Sequence, residues 1–513
     1  MENPAQTSRT PKPKKKKRSF PTAFTVLFII LILAALLTYL VPAGSFDHLT
    51  YQPDQDNFLV SKVDGQEESL PANQSTLDKY HISIPLENFQ NGSILKPVSI
   101  PNTYQTLPSR PQGIIPIIMS SITGLADSIG IVTFVLILGG IIGILNQTGA
   151  FAAGMAALSR KTKGKEFILV AIISAIIAVG GTTFGMAEET IAFYPILTPI
   201  FMAAGFDALV AVAAIYLGSA IGTMFSTVNP FAIVIASNAA GINFKEGLTF
   251  RLLGLVLAMV IALIYLYRYA KKVRQNPEAS LIAEDMPAIK AKFLDQSADK
   301  DLSFDWRKTC SLTIFALAFI VMIWGVVSQG WWFEEMSALF LGVSIILMGL
   351  SGLSEKEAVN TFIDGAADLV GVALIIGVAR GINIILDDGM ISDTLLNGAS
   401  QLISGMSGFV FSSVQMILFS FLGIFIPSSS GLAALSMPII APLADVVNVS
   451  RSIVVSAYSF GQGLMSFITP TGLILASLEM VDVGYDKWLK FILPLMGLIG
   501  ILAILILALE VVF

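Results

Sequence analysis

The sequence predicts an all-α polytopic membrane protein made of two inverted-topology repeats, each with a re-entrant hairpin and a Pro-broken transmembrane helix. Two observations carry this. Only 13% of the 513 residues are charged and 54% are hydrophobic, with a mean hydropathy of +0.76, whereas soluble proteins carry about 25% charged residues. The apolar runs are also interrupted in pairs, at matching places in the two halves, by small-residue turns and by prolines.

Taken in order, residues 1–21 form a basic tail in which Lys12, Lys14, Lys15, Lys16, Lys17 and Arg18 are nearly consecutive. Such charge keeps its side of a span in the cytoplasm, and attraction to anionic lipid adds roughly 1 kcal/mol per basic residue. Nucleic acid is not an expected partner. Thr22–Leu40 is the first span. It exceeds the ~7–15 apolar residues of a secretory signal, so it is expected to stay uncleaved. Residues 43–112 are polar, with alternating apolar positions and several prolines, and read as an irregular or β-rich extracellular cap.

Ile114–Leu125 is short and punctuated, while Ile129–Leu145 is a span running inward to Arg160, Lys161, Lys163 and Lys165. The inner hairpin, 167–206, follows, with the tip GGTTFGMAEETIAFYP at Gly180–Pro195. Ala208–Ala240 breaks at Ser226-Thr227-Val228-Asn229-Pro230, because proline removes a backbone donor and clashes with the preceding turn. At membrane depth such a break is tolerated only where it lines a cavity or packs against protein. Phe250–Tyr269 closes the first repeat, 22–270, at Lys271, Lys272 and Arg274.

A charged cytoplasmic linker, 271–307, and a linking transmembrane helix, 308–335, lead to the second repeat, 336–513. Ser311–Val327 crosses outward to Trp331-Trp332-Phe333, an interfacial aromatic belt. Ser337–Leu350 returns, Ser354–Asp368 is amphipathic, and Leu369–Leu386 crosses again before a loop, Asp387–Ser407, without Lys or Arg. The outer hairpin, 408–448, has its tip at Ile426–Gly431. Ser452–Leu478 breaks at Thr469-Pro470-Thr471-Gly472, and Trp488–Val512 ends the chain outside. Glu189 precedes Asn229 by 40 residues, as Ser430 precedes Pro470 by 40. Paired interruptions of this kind point to the binding site of a secondary transporter.

Each interruption supplies candidate ligands. Glu188 and Glu189 are adjacent carboxylates in an apolar neighbourhood, where charge marks function by default. On a helix they would point about 100° apart, so one at most faces a solute squarely. A carboxylate suits the planar donor fork of a guanidinium or an ammonium group. Thr182, Thr183, Ser428, Ser429, Ser430, Thr469 and Thr471 are short hydroxyls beside helix breaks, where freed amides can hold an α-carboxylate. Asn229 stands beside Pro230, and Gly185 and Gly431 give backbone room at the tips. Arg380, inside an apolar span with Asp387 and Asp388 near its end, reads as a structural pair or as a gate that competes with a cationic substrate for Glu188 or Glu189.

Composition also excludes. A single cysteine, Cys310, rules out an intramolecular disulfide framework, and His48 and His81 both lie in the polar segment. No metal site and no cofactor are expected. An intramembrane enzyme would need a nucleophile with a base or a metal cluster, and the spans as read offer no His or Cys.

GGTTFGMAEETIAFYP, STVNPF, GVARGINIILDDGMISDTLLN and IPSSSGLAALSMPIIAPLA resemble the YfcC family, most closely its bacterial arginine/ornithine antiporters, within the wider ion transporter superfamily near the anaerobic C4-dicarboxylate carriers. The resemblance implies a scaffold domain, a mobile transport domain of hairpins and broken helices, and a homodimer in the plasma membrane. The sodium-coupled dicarboxylate members of the superfamily carry Ser-Asn-Thr at their tips, where this chain has GTTFG and PSSSG. The expectation is an antiporter of cationic amino acids in the lipid bilayer, N-terminus cytoplasmic and C-terminus extracellular. An ion-coupled symporter of C4-dicarboxylates or other small carboxylates is the alternative.

Overall fold

The computed structural model describes residues 21–512 apart from 91–93, 95–96, 152, 155–164, 295–304, 330, 404–405, 407, 427 and 448. The expectations for the basic tail up to residue 20, for Arg160, Lys161 and Lys163, and for Pro427 lie outside the described residues. Ten described helices are long and apolar enough to cross a membrane.

Helix α1 (Ala23–Leu40) starts at Thr22, whose side chain accepts from the Thr25 amide, and enters the cap. The cap is β-rich as read. Strands β2 (His48–Gln52), β3 (Asn57–Ser61), β4 (Glu67–Pro71) and β5 (Val98–Ser99) make an antiparallel sheet in the order β4-β3-β2-β5, and β1 (Gly44–Ser45) pairs with β6 (Gln105–Thr106). Leu49, Phe58, Val60 and Val98 form its fully buried core. Asp393 ties the cap to the helices by accepting from the Ser45 hydroxyl and the Phe46 amide, both at 3.1 Å.

The first half continues as α2 (Ile114–Asp127), α3 (Ile129–Gln147), α4 (Glu166–Phe184), a 3-10 helix (Glu188–Phe193), α5 (Tyr194–Ala203), α6 (Ala208–Met224), α7 (Pro230–Ala239) and α8 (Leu248–Gln275). Helix α9 (Met286–Phe293) lies in the linker and α10 (Trp306–Gln329) crosses to the second half. There follow α11 (Phe333–Ser351), α12 (Glu355–Ala367), α13 (Val370–Asp388), α14 (Ser392–Ile403), α15 (Gly408–Phe425), α16 (Ser429–Val446), α17 (Arg451–Ser466), α18 (Ile474–Met480) and α19 (Tyr485–Val512).

One stretch differs from the sequence reading. Asp387–Ser407 is not a plain loop, because α14 occupies its middle. Leu395, Leu396, Ala399 and Leu402 recur at helical spacing, and Leu396 and Ala399 are buried. The segment is too short and polar to read as a span, which hid it.

The inversion is visible in what each hairpin touches. The base of the α4–α5 hairpin meets the linker end of the bundle: Arg274 of α8 grips Glu166 with two hydrogen bonds of 2.8 and 2.9 Å. At the adjoining turn Asp207 accepts from Tyr269 at 2.7 Å and Ser280 at 2.6 Å. The base of the α15–α16 hairpin meets the cap end, where α16 packs on β5 and Arg451 donates to the Ala240 carbonyl at 2.7 Å. The other helices pair across the two halves, α2 with α13 and α3 with α12. Both pairings are glycine-lined. A Cβ on Gly124 would lie 2.3 Å from the Gly377 carbonyl, and one on Gly365 would lie 2.4 Å from that of Gly139. Without lateral hydrophobic drive inside a bilayer, such backbone contact is what holds helices together.

Candidate functional site at two hairpin tips and two helix breaks

A break frees backbone carbonyls, and each one left buried without a partner costs about 1–3 kcal/mol. The two breaks meet this need in parallel ways. Between α6 and α7 the Ser226 carbonyl accepts from Nε of Arg251 at 3.0 Å. Between α17 and α18 the Phe467 carbonyl accepts from Nε1 of Trp488 at 2.8 Å. Arg251 and Trp488 each stand in the first turn of the last helix of their half. Arg251 is fully buried and also donates to the Glu246 carbonyl at 2.9 Å and to that of Phe244. Glu510, beside Ser452 at 3.1 Å, faces it across Gly247. The second break takes two tyrosines as well: Tyr216 donates to the Ser466 carbonyl at 2.7 Å, and Tyr485 to that of Ile468.

The first tip is stitched to the first break. Thr182 donates to the Phe225 carbonyl at 3.2 Å and accepts from the Thr227 amide at 2.9 Å, while its own carbonyl accepts the Thr227 and Val228 amides at 3.2 Å. Asn229 spends its amide on the protein. Its oxygen caps the Phe231 amide at 2.9 Å and its nitrogen reaches the Gly181 carbonyl at 3.4 Å. Gly185 has φ +77°, and a Cβ there would lie 2.8 Å from Oδ1 of Asn229. Only glycine takes that conformation at no steric cost.

Glu188 and Glu189 lie on a 3-10 turn rather than an α-helix, so they diverge by about 120°. Glu189 turns inward, buried, and accepts from the Ala187 amide at 3.0 Å. Glu188 is half-buried. No other side chain donates to its carboxylate among the described residues, and Tyr216 lies within its electrostatic reach. Buried hydroxyls on the first hairpin and in and after the second break are unspent. Those of Tyr194 and Ser477 approach one another without hydrogen-bond geometry, and Thr471 Oγ1 is likewise buried with no partner.

The second tip closes on itself. Ser428 caps α16 by accepting the Gly431 amide at 3.1 Å, with the Ser430 hydroxyl 3.5 Å away. Tyr458 anchors it from below through the Ser429 carbonyl at 2.6 Å. Ser459 of α17 reaches the Met224 carbonyl at 2.8 Å, so the core of one half touches the break of the other.

The structure therefore brings Thr182, Gly185 and Asn229 together, but spends the side chains of Thr182 and Asn229 on the tip and the break themselves. Thr183 and Thr469 turn back on their own helices, to the Val179 carbonyl at 2.6 Å and the Met465 carbonyl at 2.8 Å. Arg380 does not meet the glutamates. It pairs loosely with Asp127 at 3.9 Å, both half-exposed, and Asp387 lies 3.5 Å from the Ser392 hydroxyl. Sequence reasoning missed Arg251, Glu510, Tyr216 and Trp488. The signal was a lone arginine at the start of an apolar helix just after a break.

Paired hairpins opening to opposite ends, with broken helices between them, define a membrane transporter. The family model described as the C4-dicarboxylate anaerobic carrier, DcuC, matches residues 20–512, and the chain belongs to that family as a YfcC-type member. An uncharacterized Haemophilus influenzae protein is 48% identical over 97% of this chain and 98% of its own. An Escherichia coli K12 protein, provisionally named basic amino acid antiporter YfcC, is 29% identical over 95% of this chain and 96% of its own. Solved structures of Neisseria gonorrhoeae MtrF, of a class of antimetabolite efflux pumps, and of the Alcanivorax borkumensis YdaH transporter both align with TM-score 0.38. They share 14% and 15% identity, over 96% and 95% of this chain and 95% and 98% of theirs.

Proposed function

We propose that the chain is a plasma-membrane antiporter of cationic amino acids, exchanging arginine for ornithine by alternating access. The observation behind this is Glu188. It is a half-buried carboxylate at a hairpin tip that takes no hydrogen bond from another side chain among the described residues, while its neighbour Glu189 accepts from the Ala187 amide. A guanidinium or ammonium group would answer that charge. The unspent hydroxyls of Tyr194, Ser477 and Thr471 would receive the rest of the solute, and the Ser428–Gly431 tip would close from the opposite side. In this reading the cap faces outward, the linker inward, the N-terminus is cytoplasmic and the C-terminus extracellular. The unit is a homodimer. The provisional name of the Escherichia coli relative agrees with the substrate class.

The family description favours a second reading, a carboxylate carrier. An ionised Glu188 would repel a dianion, which is discrimination by like charge. Counterflow in proteoliposomes separates the two. Vesicles loaded with ornithine should accumulate labelled arginine without a sodium gradient and should ignore succinate. Accumulation of succinate and not arginine would overturn the proposal.

A further inference from the structure

We infer that the linker end of the α4–α8 groove is a binding site for an anionic glycerophospholipid, its phosphodiester held by Arg268, Lys271 and Lys272. Two adjoining cavities of about 400 and 430 Å³ open there and share Tyr267, Lys271 and Gln275 in their walls. The first also takes Arg268 and Lys272, and the second Phe167, Phe206 and Arg274. Arg274 is already neutralised by Glu166 through its paired hydrogen bonds of 2.8 and 2.9 Å. Arg268, Lys271 and Lys272 have no acidic partner within 4.0 Å among the described residues, and no acidic side chain lines either cavity. Three cations without an acidic partner among the described residues therefore converge on one concave surface.

The surface leading to it is apolar and faces outward. On α8, Leu257, Val260, Ile264 and Tyr267 are exposed at helical spacing, with 38%, 48%, 50% and 46% of their surface free. They stand in line with the basic residues one turn further on. On α4, Ile168, Ile172 and Ile176 are exposed as well, at steps of four. Tyr267 closes the groove edge-on against Phe167, with ring centroids 5.0 Å apart. An exposed apolar face that ends in a cationic, aromatic-walled cup matches a molecule with acyl chains and an anionic head.

Basic residues at a span's end also set orientation. That role asks for charge near the membrane but not for cavities, nor for an apolar groove ending in them. Basic pockets between transmembrane helices are places where anionic headgroups bind. The site would sit beside Glu166 and Arg274, at the base of the first hairpin.

Native mass spectrometry of the full-length protein, delipidated in uncharged detergent, tests this. Phosphatidylglycerol should persist as an adduct and raise the thermal midpoint, whereas phosphatidylcholine and inorganic phosphate should do neither. The triple variant R268Q/K271Q/K272Q should lose at least tenfold of the phosphatidylglycerol adduct, and K356Q on the exposed face of α12 should keep it. Equal retention of phosphatidylglycerol and phosphatidylcholine by the wild-type protein would overturn the proposal, as would unchanged binding by the triple variant. A midpoint shift with inorganic phosphate alone would assign the cup to free anions and sink the lipid assignment. Should the triple variant not fold, the wild-type contrast between lipids and the single variant K271Q still decide.

Discussion

The two hairpin tips share a place in the fold but not a way of being held. The first is knitted to its break through Thr182, Thr227 and Asn229, so tip and break form one hydrogen-bonded unit. The second is capped by its own serine and reaches α17 through the Ser429 carbonyl. Their breaks differ in parallel: a buried guanidinium holds the first, and an indole with two tyrosines holds the second. Repetition of the backbone therefore leaves the chemistry free to diverge. The first tip fixes a carboxylate in place, while the second tip carries only hydroxyls and amides.

The sharpest way to break that comparison is at the paired donors. Arg251→Met strands the buried Ser226 carbonyl and two part-buried ones, and removes the charge facing Glu510. It should cost about 3–5 kcal/mol, as when one member of a buried charged network is lost. Trp488→Phe strands the Phe467 carbonyl and should cost about 1–3 kcal/mol. Thermal melts in detergent should rank the two in that order, and the reverse order would mean the halves are not held as described.

Next is the latch. Thr182→Val removes the hydroxyl shared by Phe225 and Thr227 and should lower stability by about 1–3 kcal/mol. Ser430→Ala, whose hydroxyl only approaches Ser428 at 3.5 Å, should melt within about 0.5 kcal/mol of wild type. Equal losses would erase the distinction between the tips. Arg380→Gln should have the smallest effect. Its half-exposed pair with Asp127 at 3.9 Å is worth about 0–1 kcal/mol, and arginine counterflow should stay within about threefold of wild type. A loss beyond tenfold would restore Arg380 as a gate.

Most of the architecture was legible because its causes are local. Prolines at 230 and 470 must break helices, glycines at the tips must turn, and basic residues stop spans. The cap was legible from its period-two pattern. Helix α14 was not, since its apolar face is short and diluted by polar residues. The site was half legible. The interruptions named the right neighbourhood, but which hydroxyls are consumed by the backbone depends on contacts between segments about 45 residues apart, such as Thr182 with Thr227. Arg251 was hidden for the same reason, because its partners become acceptors only once the break has formed. The two glutamates looked equivalent in sequence, and the 3-10 turn separated them.

That separation is the central claim, and arginine counterflow by E188Q and E189Q measures it most directly. With one charge-assisted hydrogen bond at stake, about 1.5–3 kcal/mol, E188Q should lose roughly 10–100-fold in arginine affinity while its melting point stays near wild type. E189Q should show the opposite pattern, a lower melting point with arginine affinity largely kept in the folded fraction. Wild-type exchange by E188Q, with or without loss in E189Q, would contradict the account.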